Sequence, residues 1–247
     1  MSFTEAEHYD RVWAEVDLDA ALYNMERMHQ NLKPGTKMAA VIKTDGYGHG
    51  ALRIAEKLEP LDYLWGYAVA TYEEACELRD GGMKKPILIL GYVFPYCYEG
   101  LAQKEIRPAC FREDMLEELS LAAGKAGKRI KVHIAVDTAM ARIGIRPDDS
   151  GLSFVKKALE TEGIEVEGIF THFSKADETA SENTFRQIRE FTEFCGRIEK
   201  ELGYRIPVQH CSNSAGLIRF PEANLDMVRA GITLYGLWPS EEVPKIL

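Results

Sequence analysis

Short apolar runs rich in β-branched and aromatic residues recur along the chain, and amphipathic stretches with helical spacing lie between most of them. The runs are 38–43 (MAAVIK), 63–70 (YLWGYAVA), 86–91 (PILILG), 106–111, 130–137 (IKVHIAVD), 166–173 (VEGIFTHF), 207–212 (PVQHCS) and 227–235. Segments 51–58, 72–79, 112–123, 152–160 and 183–202 read as helices, and Gly or Pro punctuates most joins, as at Gly81-Gly82, Gly163 and Gly203. Strands alternating with helices predict parallel βαβ units. A strand count close to eight favours an α/β fold of the (β/α)8 TIM-barrel type over an open doubly wound sheet. The latter would carry GxGxxG after its first strand, and the nearest sequence, Gly46-Tyr47-Gly48-His49-Gly50, lacks that spacing. Residues 1–238 read as one barrel, and 239–247 (PSEEVPKIL) as an exit segment.

Composition narrows the class. At 247 residues and 46% hydrophobic, the chain can build one full core or two small ones. A net charge of −9 argues against a nucleic-acid partner, because phosphate neutralisation needs clustered Lys and Arg. The five cysteines are odd in number and include no CxxC, so reduced thiols in a cytoplasmic protein are expected rather than a disulfide framework or a zinc site. The first thirty residues are too acidic for a signal peptide, and no run of eighteen apolar residues offers a membrane span.

Barrel enzymes keep their chemistry at the C-terminal ends of strands. The polar residues there are Lys43, Asp137 with Arg142 shortly after, His172, Asn213 with Ser214, and Arg229. Lys43 reads either as a solvated lysine closing a strand or as a Schiff-base lysine, whose free amine is favoured by partial desolvation and cationic neighbours. The glycines of 46–50 serve turn geometry, close approach to a ligand, or both. Ser214 with Gly231 and Ile232 suits a phosphate cradle in the loops after strands seven and eight; for Ser214 a helix N-cap is the plain alternative. Arg229 is either paired with a neighbour such as Asp226 or set against a ring nitrogen, which a guanidinium would keep unprotonated. His172 is either a satisfied core histidine or a flat ring stacked beside a pyridine. His210 could orient Arg229 from the adjacent strand, while His49 and His133 carry weaker signals. No HExxH, GxSxG or Walker spacing occurs.

These residues resemble a known family. Val41–Gly50 (VIKTDGYGHG) is similar to the pyridoxal 5′-phosphate (PLP) lysine signature of alanine racemases, usually VKANAYGHG. Segments 14–24 (AEVDLDAALYN), 137–144 (DTAMARIG), 171–173 (THF), 211–214 (CSNS) and 228–236 (VRAGITLYG) resemble the same family in order along nearly the whole chain. The resemblance implies a fold-type III PLP enzyme, an isomerase that interconverts L- and D-alanine for cell-wall D-alanine supply and works as a homodimer. It implies that Lys43 binds the cofactor and acts as one acid/base. Tyr47, Ser214, Gly231 and Ile232 would hold the phosphate, with Asn213 nearby. His172 would pack beside the ring, Arg229 would face its nitrogen with support from His210, and Arg142 would meet the substrate carboxylate. Rival readings are a non-catalytic PLP-homeostasis barrel, a racemase of another small amino acid such as serine, a barrel-type PLP decarboxylase, and a barrel with no cofactor.

Three departures from the family pattern matter. Ala135 stands where many members carry a carbamylated lysine, so the brace for Arg142 is expected to differ or be absent. The DTGMGR pattern is written Asp137-Thr138-Ala139-Met140-Ala141-Arg142, which changes the loop's backbone freedom. The family continues after the barrel into a C-terminal β domain that supplies a tyrosine as second acid/base. That domain is expected to be absent from this chain, and Lys43 then serves one face of a substrate alone.

Overall fold

The computed structural model describes residues 11–178 and 182–246; expectations that fall on 1–10, including the acidic start read as no leader, lie outside them. Each apolar run carries a strand: β1 Lys37–Val41, β2 Leu64–Val69, β3 Ile87–Ile89, β4 Ile106–Cys110, β5 Ile130–Ala135, β6 Ile164–Phe170, β7 Val208–His210 and β8 Met227–Ala230. Neighbouring strands pair in parallel, in the order β7-β6-β5-β4-β3-β2-β1-β8. Asp226 N–H donates to Gln209 O (3.1 Å) and Arg229 N–H to Ser212 O (3.0 Å), which brings β8 against β7. The result is a (β/α)8 barrel, as the alternation predicts. Its strands are buried on both faces, which is why they read as continuous apolar runs rather than as alternating ones.

The helices are α1 Leu18–Gln30, α2 Ala51–Leu58, α3 Tyr72–Asp80, α4 Tyr98–Lys104, α5 Glu113–Ala126, α6 Asp149–Glu160, α7 Glu182–Leu202 and α8 Ser214–Arg219. Five match the amphipathic segments; α1, α4 and α8 were not expected. The signal for α1 was present. Asp17 caps it by accepting from Asp19 and Ala20 N–H, and Ala21, Met25 and Met28 form its buried face. The run 227–235 is only partly strand, because Gly231 breaks it and 232–235 continues as a 3-10 turn. Val243 is buried in the main core and Ser240 Oγ donates to Asp177 O at 2.6 Å. The five cysteines are unpaired, and no helix among the described residues is long and apolar enough to cross a membrane.

Candidate active site

One cavity of about 570 Å³ opens at the C-terminal ends of the strands. Lys43, Tyr47, Arg142, His172, Asn213, Ser214, Arg229, Gly231 and Ile232 all line it. The structure thus brings these residues together, with His210 behind Arg229; Asp137, also named at a strand end, does not line the cavity and instead accepts from Ala139 and Ala141 N–H.

Lys43 stands two residues beyond Val41, the last residue of β1, and begins a turn of unusual hand. Thr44, Asp45, Gly46 and Tyr47 all have φ between 51° and 60°. Gly46 accepts this freely and Asp45 is of a type that sometimes does; Thr44 and Tyr47 each store about 1–2 kcal/mol. The turn is held from outside. Glu74 Oε1 accepts from Thr44 N–H and its Oε2 from Ala70 N–H, both at 2.8 Å, while Asp45 Oδ1 accepts from Ala51 N–H at 2.8 Å at the start of α2. The turn sets Tyr47 with its ring centroid 5.6 Å from Lys43 Nζ and packs that ring against Tyr235, whose hydroxyl donates to Val41 O. Burial raises the pKa of Tyr47, so its hydroxyl stays protonated and able to donate.

Beside Tyr47, after the neighbouring strand β8, Gly231 N–H donates to Ser214 Oγ at 3.0 Å, and that Oγ lies 3.0 Å from Thr233 Oγ1. The N-cap of α8 is Asn213, not Ser214, because Asn213 Oδ1 accepts from Gly216 N–H at 2.9 Å. A Cβ at Gly231 would stand 3.5 Å from Ser214 Oγ and 3.9 Å from Tyr47 Oη, filling the space these groups share.

Arg229 is 2% exposed and is not paired with Asp226, which instead binds Arg205 (2.7 Å) and Gln209 N–H (2.9 Å). Its Nη1 donates to His210 Nδ1 (2.7 Å) and His210 O (3.2 Å), and its Nη2 to Thr171 O (2.8 Å) and Cys211 O (3.1 Å). Nε–H has no acceptor among the described residues. Burial lowers the guanidinium pKa to about 10; Cys211 pulls it back up and the charge of Arg142 adds a lesser lowering, so it remains a cation at neutral pH. The His172 pKa moves in the same direction but with the opposite outcome: burial first, then Arg229, Arg142 and Lys43, lower it to about 3 and keep the ring neutral. Arg142 is exposed at the cavity and makes no hydrogen bond or ion pair among the described residues.

The model of the family described as alanine racemase, N-terminal domain, matches residues 16–239. The chain belongs to the alanine racemase family. It is 41% identical over 242 residues to alanine racemase 1 of Oceanobacillus iheyensis, covering 97% of this chain and 63% of that protein. It superposes on the alanine racemase of Clostridium difficile 630 with TM-score 0.90 at 35% identity, over 94% of this chain and 60% of the other, and on that enzyme's complex with cycloserine with TM-score 0.91. The chain therefore spans about 63% of the length of such relatives.

Members of this family are PLP enzymes, and the site's donors fit that group: a lysine amine just beyond β1, a hydroxyl and a glycine backbone close to Tyr47, and a buried guanidinium with a spare N–H. Several structural residues escaped the sequence reading. Glu74 holds the Lys43 turn from α3. Gln187, fully buried on α7, donates to His172 O and Thr138 Oγ1 and accepts from Ser174 N–H. A buried polar residue on the apolar face of a long amphipathic helix was the available signal for Gln187; Glu74 offered none.

Proposed function

We propose that the protein binds PLP through Lys43 and, in its complete form, interconverts L- and D-alanine in the cytoplasm as a homodimer. The observation that carries this reading is the convergence, in one cavity of an alanine racemase-family barrel, of the Lys43 amine, the Ser214–Gly231 cradle and the buried Arg229. When bound, the cofactor acidifies the Cα–H of an attached amino acid.

The chain's residues divide the remaining work. Lys43 moves a proton at one face of the substrate carbon. Tyr47, Ser214, Gly231 and Ile232 hold the phosphate, with Asn213 fixing the start of α8 beside them. Arg229, a cation at neutral pH, offers only N–H donors and so keeps the ring nitrogen unprotonated, which favours return of the proton over deeper carbanion chemistry. Neutral His172 packs beside the ring without adding charge. Arg142, with no partner of its own, receives the substrate carboxylate. The proton at the other face comes from a group outside the residues described here.

The purified protein is expected to be yellow and Lys43→Ala colourless; a coloured Lys43→Ala protein overturns the assignment. Supplying each alanine enantiomer separately to the complete protein then distinguishes a racemase, which converts both, from a PLP carrier, which converts neither.

A further inference from the structure

Behind Arg229 a line of buried polar side chains crosses the barrel interior, although barrel interiors are normally filled by branched apolar residues. Arg229 Nη1 meets His210 Nδ1 at 2.7 Å, His210 Nε2 meets His133 Nδ1 at 2.9 Å, and His133 Nε2 meets Glu167 Oε2 at 3.3 Å. Both histidines are 0% exposed. Glu167 also accepts from Arg107 Nε and Lys131 Nζ, each at 3.0 Å.

The fold makes specific room for this line. Strands β5 and β7 are not neighbours; β6 lies between them. The His133 ring bridges the gap by lying over Gly168 of β6, where a Cβ would fall 2.3 Å from His133 Nδ1 and 2.4 Å from Cε1. One residue earlier, the β5–β6 register steps from Val132↔Val166 to His133↔Gly168, which leaves Glu167 as the extra residue of a bulge. Bulges re-aim side chains, and this one carries Glu167 to His133.

The two ends dictate the direction of every bond between them. A guanidinium only donates, so His210 Nδ1 accepts and its proton sits on Nε2. His133 Nδ1 therefore accepts, and its proton on Nε2 goes to Glu167. Burial would raise the Glu167 carboxyl, but hydrogen bonds from His133 and Arg107 outweigh it and hold the group ionised, able only to accept. Burial keeps both histidines neutral, which the scheme requires. If His210 instead carried its proton on Nδ1, that proton would face an Arg229 N–H in a buried site, two donors opposed.

We propose that His133 and Glu167 are positioning residues for Arg229: the one-way chain from Arg229 through His210 and His133 to Glu167 locks the acceptor nitrogen of His210 and so holds the guanidinium with Nε–H left for the cavity. The consequence for the cofactor's ring nitrogen rests on the reading of Lys43 and Arg229 given above. The locking itself does not.

The test is ¹⁵N NMR of the histidine ring nitrogens in the cofactor-free protein at neutral pH. Both His210 and His133 are expected to show a protonated Nε2 and a bare, acceptor-type Nδ1. A proton on Nδ1 of either ring, or a doubly protonated ring, overturns the proposal without any variant. His133→Leu is expected to release His210 into a mixture of tautomers and to weaken PLP retention roughly tenfold. His133→Asn, whose Oδ1 takes the Nδ1 position, should restore the His210 signature. A wild-type His210 signature in a folded His133→Leu protein overturns the proposal. Correct tautomers in a protein that binds no PLP would sink the functional reading and leave the positioning chain standing.

Discussion

Ala139 stands at φ 142° and Ala141 at φ 54°, two backbone conformations that favour glycine, in the loop that ends on Arg142. Asp137 Oδ1 fixes both by accepting from Ala139 and Ala141 N–H at 3.0 Å each. A side chain held in so sparse a region stores of order 1–3 kcal/mol at residue 139. Glycine's extra freedom in the unfolded chain costs about 0.4–1 kcal/mol. Ala139→Gly is therefore expected to stabilise the protein by about 1 kcal/mol. For a chain of this size that raises the thermal midpoint by about 2–4 °C. Ala141→Gly, at the milder left-handed position, should gain about half as much. The two sites share Asp137, so the double variant should fall short of the sum. Gly144→Ala is the opposite control. At φ 124° its Cβ would lie 2.5 Å from Asp137 N and 2.7 Å from Val136 C, so the midpoint should drop by several degrees, roughly the effect of 2 kcal/mol or more. Differential scanning calorimetry of the four variants settles the matter. An unchanged or lowered midpoint for Ala139→Gly refutes the claim that strain is held in this loop.

Other perturbations act through single residues. Glu74→Ala removes the acceptor for two backbone N–H groups beside Lys43 and should cost about 1–3 kcal/mol in denaturant unfolding together with faster loss of PLP. Gln187→Leu keeps the volume but strands His172 O and Ser174 N–H; a loss of about 2 kcal/mol is expected, and a neutral result would show that water replaces the amide. Stability should also fall in acid. The His172 pKa is about 3 in the fold against 6.5 ordinarily, so the unfolded chain takes up the proton first, and stability is lost as pH falls from about 6.5 toward 3. His133 and His210 shift in the same direction, and His172→Phe should flatten the plot of thermal midpoint against pH over that window.

The barrel was legible because parallel strands buried on both faces leave continuous apolar runs, and even the three-residue β3 and β7 sit inside such runs. The strand-end rule then collected Lys43, Arg142, His172, Asn213, Ser214 and Arg229 without any knowledge of contacts. What it could not collect were side chains that act on backbone far along the chain, such as Glu74 on Thr44. His133 gave only a weak signal, because its importance lies in reaching across β6 to His210, and nothing in a linear pattern records that Gly168 clears the way. The left-handed turn was legible at its glycines and hidden at Thr44 and Tyr47, residue types that rarely adopt that conformation.

The position of Ala135 joins two of these findings. Many relatives place a lysine there, and the sequence leaves open what braces Arg142 instead. Ala135 is 1% exposed and packs with Ala109 and Phe170, with Leu90, Phe111 and Ile143 around them. The floor beneath the Arg142 loop is thus apolar, and none of these side chains can accept a hydrogen bond from a guanidinium. Two devices remain to place Arg142. One is the strained backbone of Ala139 and Ala141, pinned by Asp137. The other is the ligand's own carboxylate, the strong partner a free guanidinium lacks. An arginine braced by a fixed side chain is preorganised before substrate arrives, whereas here the loop conformation must do that work. Relaxing the loop with glycine should therefore stabilise the fold and weaken substrate binding together, a trade expected where strain serves a site. In the complete protein the signature is a raised KM with kcat little changed; a higher thermal midpoint with an unaltered KM would mean that Arg142 is placed by something other than its loop.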